Sequence, residues 1–572
     1  MALKLDKTVQ AAPGDVKTEA GCPNLLLCLS FATVIRPNPR HEQDRQAPSR
    51  PGTFESLARS FTSWRTAAVT LQSFPSAIPL RLVLIAIPAW LALEGVDIRT
   101  IGFVTLAQAP WTFKFLWAPV MDRYAPPFLG RKRGWAVVAQ AALLVSTIAL
   151  AVVAAAPQRI WLIAAVSFFI AFASASQDIA VDAYAVEVLR PEEQGIASGS
   201  RSAMGRLAML LSGRVTITAA TWLSWPALFA IQSLIYLPAT ALMVFSPEPE
   251  TVPTPPRTLR EAVWEPFVGF LRQQRAIEII AFLVLYKFGD NLALALISPF
   301  LLQVGFGKWD VGVAVGTLGL IATILGAILG GAITSVIGLG HALWLFGLLQ
   351  AFSNIGYVLV AQIGVNRPVM YTASFVENLT IGMGTAAFSV LLLRLTQKKF
   401  SATQYALLSS IFALGRTLAG PVAGVLVDAM GWRNFFVLTI FSAIPGLAML
   451  QRFVPLGCRE PLLALSGGRE GPPLRRGGLI IRALGGCAAG LFLGALCSGT
   501  LEAFRAMRAT PGSGFALAPA MMRLIGPTSV GDWFSLVAVA LFGASCGLAW
   551  AALAAARRGA GFAPSQGPSE RS

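Results

Sequence analysis

Apolar segments of roughly 20 residues, the length that carries a helix across a bilayer, alternate along the chain with short polar and basic connections. Twelve such segments fall between residues 68 and 454, and two more cover about 478–499 and 530–555. The pattern predicts an all-α polytopic membrane protein of about 14 spans. The longest internal connection, SPEPETVPTPPRTLREAVWEPFVGFLRQQ (246–274), is Pro-rich and then amphipathic. It divides the first twelve segments into six plus six. The expected organisation is a disordered polar tail at 1–66, a six-helix bundle at 67–246, and a linker at 247–275. A second six-helix bundle follows at 276–455, then a linker at 456–477, two additional helices within 478–556, and a tail at 557–572.

An internal repeat supports the division. EEQGIASGSRSAMGRLA (192–208) and ATQYALLSSIFALGRTLA (402–419) place Gln194 and Gln404, Gly205 and Gly415, and Arg206 and Arg416 at one common offset. The matching stretches open the fifth and eleventh spans, which are equivalent positions in the two halves. Two six-helix repeats predict a transporter that rocks around a site between its halves.

Composition and charge agree. Only 13% of the 572 residues are charged, against about 25% in soluble chains. The net charge of +17 sits mostly in alternate connections, which fits membrane topology better than nucleic-acid binding. Arg123, Arg131, Lys132 and Arg133, then Arg190 and Arg201, then Arg257 and Arg260, then Lys398 and Lys399 mark one side. That asymmetry predicts both termini in the cytoplasm. The six cysteines form no CxxC, the two histidines no HExxH, and neither a phosphate-binding GxxxxGK[ST] nor a GxSxG elbow occurs. No metal, no cofactor and no enzymatic centre are expected.

Ionisable residues inside spans are functional candidates by default. Lys114 lies in the second span, Asp178 and Asp182 end the fourth, and Arg206 and Arg214 sit in the fifth. Lys287 and Asp290 interrupt the seventh, Glu377 lies in the tenth and Arg416 in the eleventh. Asp178 and Asp182, four residues apart, share a helix face. Lys287 and Asp290, three apart, can pair with each other, either as a neutral helix-holding pair or as a switchable pair in a central cavity. Arg214 needs a partner from another helix. Arg81 and Pro75, Pro79 and Pro88 give the first span the broken character of a cavity-lining helix. The glycine-rich 319–333 permits close helix packing.

APVMDRYAPPFLGRKRGW (118–135) resembles the cytoplasmic Asp-Arg…Gly-Arg-Lys/Arg loop of the major facilitator superfamily. The resemblance implies a latch formed by Asp122, Arg123, Arg131, Lys132 and Arg133. The matching loop of the second half, SVIGLGHALW, has no such charges, so a one-sided latch is implied. TIGFVTLAQAPWTFKFLWAPVMDRY, SASQDIAVDA, LYKFGDNLA, FVENLTIGMGTAAF, FSATQYALLSS and GRTLAGPVAG are together similar to the AmpG-type muropeptide permeases. The resemblance covers residues 68–454. It implies import of N-acetylglucosamine–anhydro-N-acetylmuramic acid, with or without peptide, across the bacterial inner membrane. The proton gradient would drive this import for cell-wall recycling, and in some bacteria the fragments feed β-lactamase induction.

Under that implication a proton symporter works by alternating access on a glycopeptide substrate. Asp178, Asp290 and Glu377, in that order, are the candidates for the coupling proton. Lys114, Gln177, Lys287, Asn291 and Asn378 are the candidates for binding a large acidic ligand. Asp182, Arg206 and Arg416 join the latch residues at the inner gate, with Asp182 expected to pair with Arg201 or Arg206. Two alternatives stay open: a porter for another anionic solute, such as an acyl-CoA or a siderophore, and a muropeptide receptor that does not transport.

Overall fold

The computed structural model describes residues 58–554 apart from short stretches, chiefly 98–100, 102–104, 156–158, 251–253, 273–275, 462–475, 510–515 and 527–531, with scattered single positions. The tail at 1–57, most of the linker at 456–477 and the tail at 557–572 lie outside the described residues.

Ten helices among the described residues are long and apolar enough to cross a membrane. They are span 1 (Trp64–Leu93), span 3 (Arg131–Val153), span 4 (Ile160–Val188), span 6 (Trp225–Val244), span 7 (Glu278–Val304), span 8 (Lys308–Ile337), span 9 (Leu339–Ile363), span 10 (Arg367–Leu395), span 12 (Met430–Phe453) and span 13 (Gly477–Thr500). The second, fifth and eleventh predicted spans are helical but depart from a plain apolar rod. Span 2 is cut into Ala109–Phe113, Lys114–Leu116 and Ala118–Arg123, with Pro110 and Pro119 in the first turns of the outer pieces. Span 5 runs through Gln194–Leu210, a π-turn at Leu211–Val215 and Thr216–Ala219, and carries three arginines. Span 11 opens the long helix Ser401–Ser442, which turns into span 12 at Gly431, φ 74°. Described residues of the fourteenth predicted span pack on span 13, with Gly543 against Leu491 and Gly547 against Cys487.

Each half closes around its own apolar core. Trp90 meets Phe229 edge-on at 5.6 Å in the first, and Phe300, Tyr357 and Phe436 interlock in the second. Trp161, Trp222 and Trp309 are more than three-quarters exposed. All three lie at the end of the bundle away from the basic loops, where tryptophans anchor a protein in the membrane interface. The amphipathic linker helix Leu259–Arg272 is held to the second half by Lys399, whose ammonium is 2.8 Å from Glu261. That contact keeps the Glu261 carboxyl below its usual range.

At the basic end the halves are joined chiefly through Asp122 and through a glycine seam, and Arg394 also donates across to Gln194 at 3.1 Å. Leu129 and Gly130 both adopt positive φ, 59° and 72°. This bend starts span 3 with its Arg-Lys-Arg turned back on span 2. Lys132 donates to Asp122, and Arg131 bonds the Asp122 carbonyl at 3.1 Å and Glu187 at 3.0 Å. Asp122 then reaches across to the second half. It accepts the backbone N–H groups of Ala402 (3.2 Å) and Thr403 (2.8 Å) and the Thr403 hydroxyl (2.7 Å). A carboxylate at a helix N-terminus meets both free N–H donors and the positive end of the dipole. Glu187 repeats the motif by accepting Ser401 Oγ at 2.6 Å. Arg133 ties the loop to Ser246 and Glu248. Arg123 stands outside this network and lies over the Tyr124 ring at 5.3 Å, a departure from its expected latch role. Its helical neighbour Asp122 points inward, so Arg123 points elsewhere.

The second contact is span 5 on span 8. A Cβ at Gly195 would lie 2.7 Å from the Gly331 carbonyl, and one at Gly331 would lie 3.0 Å from Gly199 Cα. The two backbones touch, and only glycine fits. The glycine-rich stretch of span 8 is thus structural, as its sequence predicts, with Gly326 and Gly330 pressed on span 10.

Two outcomes test these contacts. Gly199→Ala should destabilise the protein by about 1–3 kcal/mol, the usual cost of overpacking, and thermal unfolding in detergent would read it; an unchanged Tm is incompatible with the contact described. Asp122→Asn should loosen the basic end. A cysteine at Ser202 in an otherwise cysteine-free chain should then react with a polar thiol reagent from that end roughly tenfold faster or more, on the scale of a charged hydrogen bond. Equal rates would remove Asp122 from the closure.

Candidate functional site

Span 4 is a single helix, so Asp178 and Asp182 sit one turn apart on the face that meets span 1. Both line a cavity of about 250 Å³ shared by the two halves, whose wall includes Ser73, Ser76, Arg201 and Tyr405. Ser76 donates to Asp178. Arg201 donates to Asp182 and, at 3.2 Å, to Ser73. Lys114 Nζ is 3.9 Å from the other Asp182 oxygen. The two aspartates therefore differ. Asp182 lies between two cations, while Asp178 is held by a hydroxyl and has no cation within 4 Å among the described residues. Pro75 and Pro79 lie inside the first helix, whose Ser73, Ser76, Ala77 and Leu80 face this cavity, the cavity-lining role its sequence predicts.

The second half holds another buried polar group. Span 7 breaks at Lys287, whose backbone (φ −106°, ψ 0°) leaves the helix before Phe288–Val304. Lys287 Nζ lies 3.2 Å from Asp290 and 2.6 Å from Gln350. Glu377 accepts from Ser353, which also receives Thr380 at 3.3 Å. The remaining Glu377 oxygen is buried without a partner, as are Asn291 Nδ2 and Gln350 Nε2. Orphaned buried polar atoms are costly and concentrate where function requires them. Asn378 bonds Ser374 at 2.8 Å and accepts Thr323 at 3.3 Å, linking spans 8 and 10.

The expected ligand-binding set is thus largely engaged within the protein. Lys114 and Lys287 have carboxylate partners, and Asn378 braces helices. Gln177 is fully buried with both amide atoms unpartnered, and the cavity wall takes Asp178 rather than its neighbour. Arg206 and Arg416, expected at the inner gate, are not in the Asp122 network. They lie deeper, where Arg206 is within Coulombic range of Arg416 and Arg81. Arg81 packs beside Gly213, its Cβ 3.8 Å from where a side chain there would begin, and Arg214 lies against Gly316 of span 8. Asp182 does take Arg201, one of its two expected partners.

Sequence reasoning missed Ser73, Ser76, Gln350, Ser353 and Tyr405, all uncharged. One signal was available: Ser73 and Ser76 are three apart on the proline-broken helix and share its face. Among the described residues no three His, Cys, Asp or Glu side chains are grouped to hold a metal ion.

A profile of the Major Facilitator Superfamily matches residues 69–403. The chain is 43% identical over 408 residues to the anhydromuropeptide permease of Escherichia coli strain K12, covering 71% of this chain and 82% of that protein. It is 28% identical to the putative transporter AmpG 4 of Rickettsia conorii, covering 69% of this chain and 98% of that one. In fold it is similar to the proton:xylose symporter XylE (TM-score 0.54, 11% identity, 71% of this chain and 98% of that one). It is similar too to the human organic anion transporter MFSD10 (TM-score 0.51, 13% identity, 70% and 100%). With two six-helix halves around a shared polar cavity and a family match over more than half its length, the chain belongs to the major facilitator superfamily.

Proposed function

We propose that this protein imports anhydromuropeptides across a bacterial inner membrane for cell-wall recycling, by proton-coupled alternating access between its two halves. One observation carries the substrate: 43% identity to a permease named for anhydromuropeptides, over 82% of that permease's length. The geometry supports the mode of action. A polar cavity lies between the halves, and an ionic latch joins them at one end. Taking the basic end as cytoplasmic, with both termini on that side, the closed latch corresponds to a state that receives ligand from the periplasm.

For the coupling proton, Asp178 and Glu377 come ahead of Asp290. Each is held by a serine hydroxyl, so it can take or release a proton without parting an ion pair. Asp290 already has Lys287. A proton crossing 100 mV supplies about 2.3 kcal/mol, enough for a useful concentration gradient.

Cells lacking their own permease and carrying this protein should accumulate labelled anhydromuropeptide, and a protonophore should abolish the accumulation. Absence of uptake in correctly inserted protein would remove the substrate assignment, and protonophore-resistant accumulation would remove the coupling. Asp178→Asn, Glu377→Gln or Asp290→Asn should include a variant that exchanges label across the membrane but cannot concentrate it. Normal accumulation in all three would refute the choice of carboxylates.

A further inference from the structure

We propose that Arg81, Arg206, Arg214 and Arg416 form an anion-binding site that takes at least two carboxylates of a single ligand. This deepens the import reading above and rests on it for the ligand's identity, though not for its charge.

The first observation is a charge imbalance. The cations of the cavity, the latch and the seventh span have acidic partners: Lys114 and Arg201 have Asp182, Lys287 has Asp290, and Arg131 and Lys132 have Glu187 and Asp122. Among the described residues none of the four arginines has a carboxylate within ion-pair distance. Arg206 instead lies near Arg81 and Arg416, and Arg81 near Arg214. The Arg416 guanidinium lies over the Phe412 ring, 5.8 Å away. Arg81 and Arg206 are half-buried and Arg214 and Arg416 exposed, so these like charges are accessible to a ligand, and a bound anion relieves their repulsion at membrane depth.

Position is the second observation. Ala77, Ser202 and Met209 line the inter-half cavity. Arg81 and Arg206 follow Ala77 and Ser202 by one helical turn, so they continue the same faces away from the latch. Arg206 comes from the first half and Arg416 from the second, and the internal repeat makes them equivalents. A ligand held by both touches both moving parts.

The third observation is backbone shape. Span 1 has a π-turn at Leu82–Ala86, directly after Arg81; span 5 has one at Leu211–Val215, containing Arg214; span 8 has one at Gly312–Leu318, containing Gly316. The Arg214 guanidinium occupies the space where any side chain at position 316 would stand. Single π-turns are rare and gather at functional sites. Here three of them surround two of the arginines. Guanidinium groups bind carboxylates through paired hydrogen bonds, and four of them on neighbouring helices suit a polycarboxylate better than a neutral sugar or a monoanion.

The test uses the full-length protein in lipid nanodiscs. The ligands are a peptide-bearing anhydromuropeptide, the same compound with its carboxylates amidated, and citrate. Binding is read by thermal stabilisation, and arginine modification by phenylglyoxal is read residue by residue by mass spectrometry. The acidic glycopeptide should slow modification of Arg206 and Arg416 roughly fivefold, and the amidated one should not. Arg206→Gln and Arg416→Gln should each weaken the acidic ligand about tenfold, the scale of one charged hydrogen bond. They should change the amidated ligand less than about twofold, and Arg206→Lys should recover part of the loss. If the glycopeptide binds while the arginines stay equally reactive, or if acidic and amidated forms are weakened alike, the anion site is refuted and the import reading stands. If the glycopeptide does not bind but citrate stabilises the wild type and not the glutamine variants, the import reading is refuted and the anion site stands. If neither binds, both fall. The wild-type modification pattern decides the matter even where a glutamine variant fails to fold.

Discussion

The structure depends on one constraint: a charge removed from water must find its partners inside the protein. Asp122 meets it most completely. It is fully buried, with one donor from its own half, Lys132, and three from the other half at the start of span 11. Parting the halves at this end strips those three donors from a carboxylate that can stay charged only if water replaces them. Closure of the basic end is therefore a question of how Asp122 is solvated, by protein or by solvent. Breaking a buried charged group from its partners costs about 3–5 kcal/mol when nothing replaces them. Water entry reduces that cost, which keeps the switch reversible.

The other seam between the halves obeys a different rule. The loop of the second half that corresponds to 118–135 has no acid and no Arg-Lys-Arg. In its place, spans 5 and 8 meet through Gly195, Gly199 and Gly331 with their backbones in contact. A hydrogen-bonded carboxylate is directional and fixes register, whereas a glycine seam offers shape and no charge. The duplicated halves thus close one end by two unlike devices. The single charged latch is what makes that end sensitive to water and to nearby charge.

Much of this was legible in the sequence, and the failures have plain causes. Lys287 and Asp290 pair as their spacing predicts, because three residues along a helix bring side chains together regardless of tertiary context. The repeat sets Arg206 and Arg416 at equivalent positions in the two halves, and neither joins the Asp122 network where the inner gate was expected. Arg206 follows Gln194 by twelve residues and Arg416 follows Ser401 by fifteen. At 1.5 Å per residue that is roughly 18–22 Å of helix, well beyond a gate at the surface. Gln177 was read as sharing the cavity with Asp178, yet adjacent helical residues point about 100° apart, and it is buried elsewhere. Pro110 and Pro119 cut the second span into short helical pieces, a break that hydropathy alone does not show. Ser76, Ser353 and Gln350 carry no charge and so left no trace in a search for costly residues, although the two serines hold Asp178 and Glu377 and Gln350 holds the Lys287 ammonium.

The distribution of charge along the cavity ties these features together. Toward the basic end the acids and cations are matched: Asp182 with Lys114 and Arg201, Asp122 and Glu187 with the Arg-Lys-Arg turn. Further in, Asp178 has only a hydroxyl. Beyond it Arg206 and Arg416, from opposite halves, act on each other electrostatically with no carboxylate within ion-pair distance among the described residues. Two guanidinium groups from opposite halves repel, more strongly as water is excluded between them, so an empty site opposes closure at that level. A ligand bearing carboxylates reverses the sign of that interaction and links the same two groups. The same logic applies at Asp178, where adding a proton removes a charge from a cavity that must lose water to close. On the proposed reading, neutrality of the cavity, reached by ligand at one level and by proton at the other, is the condition under which the halves can exchange one closed end for the other.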